Sequence, residues 1–122
     1  MIDIGSPYLT TLDEDVWCID DGEVANRANP DSYEIPSSDE RSSIMVGMIV
    51  KIRFYIRVED EAGDIEDCGE RMWVEVTRVL DSWYHGRLDN QPSCTDGISP
   101  GMPVWFQPRH IIAIYREPSC IA

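Results

Sequence analysis

Residues 48–58, MIVKIRFYIRV, alternate between apolar and polar side chains along their length. Val50, Ile52, Phe54, Ile56 and Val58 share one face, and Lys51, Arg53, Tyr55 and Arg57 share the other. A period of two over this length specifies a β-strand with one buried side, because successive side chains of a strand point to opposite faces. The pattern returns in residues 71–80, with Met72, Val74 and Val76 opposite Trp73, Glu75, Thr77 and Val79. The two runs read as neighbouring antiparallel strands, with 59–70 as the loop of a hairpin and Gly63 as its flexible point.

Three shorter strands follow. Ser82–Leu88 is closed by Asp89-Asn90-Gln91-Pro92, Pro103–Phe106 follows the Ser99-Pro100-Gly101 turn, and His110–Tyr115 comes after Gln107-Pro108-Arg109. Gly86 marks a bend or a close backbone approach. Arg71 is placed to pair with Asp89 across the sheet. Before the strands, Ser37 stands three residues ahead of Glu40, which is capping-box spacing, so a short helix is expected from about Ser38 to Met45, ended by Gly47. Val16–Ile19 fits a strand or a brief helix, and Asn29-Pro30-Asp31 is a turn. The expected class is α+β and β-rich: a small, strongly bent antiparallel sheet or partial barrel of about five strands, with one short helix before it. At 122 residues the chain is read as a single domain, 1–122, with an acidic N-terminal segment (1–34) and a helix-plus-sheet body (35–122).

Charge is distributed unevenly. Twenty-three acids against ten bases give a net charge of −13. Residues 1–40 hold eleven acids and one arginine, and residues 59–70 hold seven acids and no base. The rest holds five acids against nine bases. Nucleic acid and anionic membranes are poor partners for such a molecule, since phosphate binding needs clustered positive charge. A cationic protein is the complementary choice. Glu59, Asp60, Glu61, Asp64, Glu66 and Asp67 are the candidate contacts.

Nothing in the sequence spells an enzyme. There is no GxSxG, HExxH, P-loop or GxGxxG, and His85 and His110 stand outside any such motif. Cys18, Cys68, Cys94 and Cys120 form no CxxC pair and have no histidine at ligand spacing, so no metal site or cofactor is assigned. The acids of 59–70 do not follow EF-hand spacing either. No apolar run approaches the ~18 residues of a membrane span, and the N-terminus lacks the basic head and apolar stretch of a secretory signal. Free thiols in the cytoplasm are the expectation. Trp73, Trp83 and Trp105 are the candidate aromatic contacts, since Trp73 faces away from Met72, Val74 and Val76.

GERMWVEVTRVLDSWYHGRLDNQP, then PGMPVWFQPRHIIAIY, and before them ANPDSYEIPSSDERSSIMVGMIVKIRF, resemble an uncharacterised bacterial domain family of unknown function over roughly residues 25–115. The resemblance implies a small β-rich bacterial domain without established enzymatic activity, loosely associated with toxin-immunity loci. The resulting expectation is a non-enzymatic acidic binding protein of immunity or inhibitor type that neutralises a cationic partner such as a toxin. The alternative is a small-molecule or peptide-binding β module using an aromatic surface, and an enzyme ranks last.

Overall fold

The computed structural model describes residues 5–116. Two short helices, α1 (Leu12–Asp15) and α2 (Gly22–Ala28), flank strand β1 (Trp17–Ile19), and a one-turn helix α3 (Ser38–Arg41) precedes the sheet. The sheet then runs through β2 (Ile49–Glu59), β3 (Ile65–Leu80), β4 (Trp83–Leu88) and β5 (Pro103–Phe106). A 3-10 turn at Pro108–His110 leads to the two-residue strand β6 (Ala113–Ile114). All described pairings are antiparallel, in the order β1-β2-β3-β4-β5, and β6 returns to β2 beside β1. The expected strongly bent, strand-rich antiparallel sheet is what forms, but three short helices, not one, precede its long strands.

The alternating faces fall as the sequence requires. Val50, Ile52, Phe54 and Ile56 of β2 and Met72, Val74 and Val76 of β3 are buried. They meet Tyr84 and Leu88 of β4, Val104 and Phe106 of β5, and Ile44 and Ile111 from the connections. β4 lies close against β3 at Gly86, where a Cβ would stand 2.5 Å from the Glu75 carbonyl oxygen and 2.7 Å from Val74. Only glycine lets the backbones approach this closely.

Four local expectations are corrected. The segment 59–70 is mostly strand: β2 continues to Glu59, β3 starts at Ile65, and the turn occupies only 60–64. Asp60 makes this turn tight, since its carboxylate accepts from the Ala62 and Asp64 amides while Gly63 takes a φ of +87°. The capping box of Ser37 and Glu40 is present, but the helix stops at Arg41 because the chain must turn to bury Ile44. The expected 110–115 strand is reduced to Ala113–Ile114, because Pro108 opens a 3-10 turn and Ile111 and Ile112 are buried in succession, which an alternating strand does not allow. Arg71 makes no ion pair with Asp89: its guanidinium lies over the Tyr33 ring, and the Asp89 amide donates to the Trp73 carbonyl. Helix α2 was not foreseen. Its cap, Asp21, accepts from the Glu23 and Val24 amides, a role hidden within an acidic run.

The acidic N-terminal segment is built into the body. β1 pairs with Phe54–Ile56 of β2. Asp13 pairs with Arg57, Asp21 with Arg109, and Glu23 with the buried Arg41, whose Nε also donates to the Pro36 carbonyl. Many of these acids are thus caps and ion-pair partners.

His110 is buried, and its Nδ1 accepts from the Gln107 amide. Burial, with Arg109 nearby, pushes its pKa down to about 4, below the ordinary value of about 6.5. The unfolded chain therefore binds the extra proton first as pH falls. The stabilisation is complete above the unfolded pKa and is lost as pH falls toward the folded one, about 3 kcal/mol in all. The stability difference between wild type and His110→Asn, measured by denaturant unfolding at pH 7 and pH 4, should shrink by about that amount. A difference independent of pH would mean that His110 is not held neutral.

Candidate functional site

The acids of the β2–β3 hairpin do not form one flat face. Glu59 and Asp67 lie on the outer side of the sheet, opposite the core, while Glu66 follows the inward parity of Cys68, Glu70 and Met72. Asp60, Glu61 and Asp64 sit in the turn, and all six candidate acids are exposed. Two have internal work: Asp60 holds the turn, and Asp67 pairs with Arg57 at 3.0 Å. Glu59, Glu61, Asp64 and Glu66 make no ion pair with the described residues. The hairpin thus presents four uncommitted carboxylates, Glu59 and Glu66 from its paired strands and Glu61 and Asp64 from its turn.

The three candidate tryptophans divide into two groups. Trp83 and Trp105 meet edge to face at 6.3 Å, with His85 4.5 Å from Trp105. Beside Trp105 is a groove of about 350 Å³ lined by Tyr8, Thr10, Asp15, Trp17, His85 and Pro103 among others. The Thr10 hydroxyl oxygen is buried and has no hydrogen-bond partner among the described residues. Trp73 lies elsewhere. His85 is opposite Arg78 on β3, and Trp73 is five residues farther along, roughly 16 Å at ~3.3 Å per residue. The Trp73 ring is half-buried, with the Lys51 ammonium 4.6 Å above it and Tyr115 edge-on at 5.8 Å. Its outward position is as expected, but the ring is covered by its neighbours instead of forming an open platform with the other two.

Four cations on the outer face of β2 and β3, Lys51, Arg53, Arg57 and Arg71, are likewise occupied. Lys51 lies over Trp73, Arg53 over Tyr55 and Arg71 over Tyr33. Arg57, Arg87, Arg41, Arg109 and Arg116 are in ion pairs with carboxylates. The sequence showed a slightly basic body, but the structure engages most of that positive charge internally.

A further cluster was missed in the sequence because its members are far apart in the chain. Cys68 and Glu70 are two apart on β3, on the face that continues as Met72 and Val74, and Cys94 arrives from the loop between β4 and β5. One ligating atom from each lies within 4.8 Å of the others. The Glu70 carboxylate accepts from the Ser93 amide at 2.9 Å, the Ser93 hydroxyl at 2.7 Å, the Cys94 amide at 3.2 Å and the Cys94 thiol at 3.1 Å. Partial burial raises the Glu70 pKa, but these bonds outweigh it and bring the value down to about 2. Burial, the Cys68 thiol and the Glu70 carboxylate push the Cys94 thiol up to about 12. Cys18, Cys68 and Cys94 are free, and Cys120 lies outside the described residues. Cys94 is therefore engaged by Glu70 and Cys68, and His110 by Gln107.

What these elements define is a small curled antiparallel sheet that bears an acidic hairpin, an aromatic groove and a thiol–carboxylate cluster. The chain matches no known family, no curated protein and no solved structure.

Because Trp73 is only half-buried, Trp73→Ala should cost about 1–2 kcal/mol, against about 3–5 for a fully buried aromatic such as Phe54. Urea midpoints of Trp73→Ala and Phe54→Ala test this directly. Equal losses would place Trp73 in the core and remove it from the candidate contacts.

Proposed function

We propose that this chain is a non-enzymatic acidic binding protein of the immunity or inhibitor type, which neutralises a cationic protein such as a toxin. The observation that carries this reading is the division of charge. Eight of the ten basic residues are held by carboxylates or lie over aromatic rings, while Glu59, Glu61, Asp64 and Glu66 project from a paired hairpin without an internal cation. With a net charge of −13, the outward field is negative and steers basic partners. Mutual repulsion among the four carboxylates is relieved when a basic surface docks. The reading involves no cofactor, nucleic acid or membrane, and it takes the cytoplasm as the compartment. No helix among the described residues is long and apolar enough to cross a membrane.

The aromatic groove favours a second reading, a module for a small molecule or peptide. Its volume of about 350 Å³ falls within the range of ligand pockets.

The two readings separate by salt response. The partner to test is a cationic protein of the same host, with association followed by stopped flow at low and high salt. The variant combining Glu59→Gln, Glu61→Gln, Asp64→Asn and Glu66→Gln leaves Asp60 and Asp67 to their structural work. Its stability should stay within about 0.5 kcal/mol per site, while its low-salt association rate should fall about tenfold or more and its salt dependence should flatten. An unchanged rate at both salts would overturn the acidic-docking reading. Binding lost instead in Trp105→Ala, and insensitive to salt, would favour the groove.

A further inference from the structure

We propose that Cys68, Glu70 and Cys94 form a zinc site that fastens the loop between β4 and β5 to strand β3. The donor set is two thiols and one carboxylate, drawn from two separate parts of the chain and brought within 4.8 Å of one another. Tetrahedral zinc with sulfur at about 2.3 Å and oxygen at about 2.0–2.2 Å separates its ligands by roughly 3.5–3.8 Å. Closing the cluster onto one ion therefore needs movements on the order of 1 Å. Thiolates select zinc over the hard cations calcium and magnesium, which take all-oxygen shells. Three protein ligands leave a fourth position for water or another donor.

The surroundings suit this role. Glu70 is held as a carboxylate by the Ser93 amide, the Ser93 hydroxyl and the Cys94 amide. Those bonds fix the ligand's orientation, as the partners around metal sites do. The Cys94 thiol proton now points at Glu70 Oε2 across 3.1 Å. A zinc ion would replace that proton and the one on Cys68, binding both sulfurs as thiolates and releasing two protons to solvent. Neither Ser93 nor Cys94 lies in regular secondary structure, and both reach β3 through Glu70. Metal binding would add covalent-strength ties to the same attachment.

The test uses the reduced full chain and cobalt(II) as the probe. One equivalent should give thiolate-to-cobalt charge-transfer absorption and tetrahedral d–d bands, both removed by one equivalent of zinc. Cys18→Ser with Cys120→Ser should leave the spectrum unchanged. Cys68→Ser or Cys94→Ser should cut the charge-transfer intensity to about half or less, loss of both should abolish it, and Ser93→Ala should weaken zinc about tenfold, as loss of an orienting partner does. Should a cysteine variant fail to fold, the wild-type chain still decides the matter. Zinc should protect Cys68 and Cys94, but not Cys18, from iodoacetamide, as mapped by mass spectrometry. The proposal is overturned by any of three results: no band at stoichiometric cobalt, a band that survives loss of both cysteines, or alkylation of Cys68 and Cys94 unaffected by zinc. A Cys68–Cys94 disulfide in a chain that binds no metal once reduced would overturn it too, and would make the cluster a redox pair.

Discussion

The pairing of β2 with β3 is the constraint on which the rest depends. Each even-numbered residue of β2 is directed to the core and is paired with an even-numbered residue of β3, Val50 with Val74 through Val58 with Glu66, and just ahead of the strand the Val76 amide continues this register by donating to the Met48 carbonyl. The odd-numbered residues bond the other way, so Arg57 donates to Val16 while Lys51 accepts from Ile112. One strand therefore organises three neighbours. β1 and β6 share one edge of it, and β3 takes the other along its whole length.

This ladder extends beyond the core. Past Ile56 the inward positions of the hairpin are Val58 and Glu66, and β4 pairs with β3 only from Val74 onward. Residues 65–70 thus leave one strand edge without a strand partner. Charged side chains discourage such an edge from pairing with another chain. The carboxylates consequently serve two physical ends at once, keeping the edge soluble and presenting charge from a stiff support. The same stretch places Cys68 and Glu70 on one face, where the loop carrying Ser93 and Cys94 docks.

The sheet was legible because its signal is periodic. Alternation in 48–58 and 71–80 specified strands, faces and hairpin pairing without reference to anything distant. Gly86 and the Ser37–Glu40 cap were legible for a similar reason, since each is a local backbone requirement. The acidic segment was not, because polar residues carry no periodic apolar signal and 65–70 reads as loop from composition alone. Its strand character comes from the register imposed by Phe54–Glu59. The separation of Trp73 from Trp105 was equally invisible, since alternation fixes a face but not a distance along it. The Cys68–Glu70–Cys94 cluster depends on where a long loop lands, and nothing near Cys94 in sequence reports that. Net charge misled in one respect: Asp21, Glu23 and Glu40 are a cap and ion-pair partners, not display charges.

Amide hydrogen exchange through residues 59–70 tests the ladder most directly. In the observed register the amides of Glu66, Cys68 and Glu70 point toward Val58, Ile56 and Phe54, while those of Asp67 and Gly69 point to the open edge. The ladder predicts slow exchange at Glu66, Cys68 and Glu70, with fast exchange at Asp67, Gly69 and the turn residues Glu61–Gly63. Uniformly fast exchange from Glu59 to Glu70 would contradict it, showing that the acids hang from a flexible loop and that neither the rigid acidic arm nor the placement of Cys68 and Glu70 exists in solution.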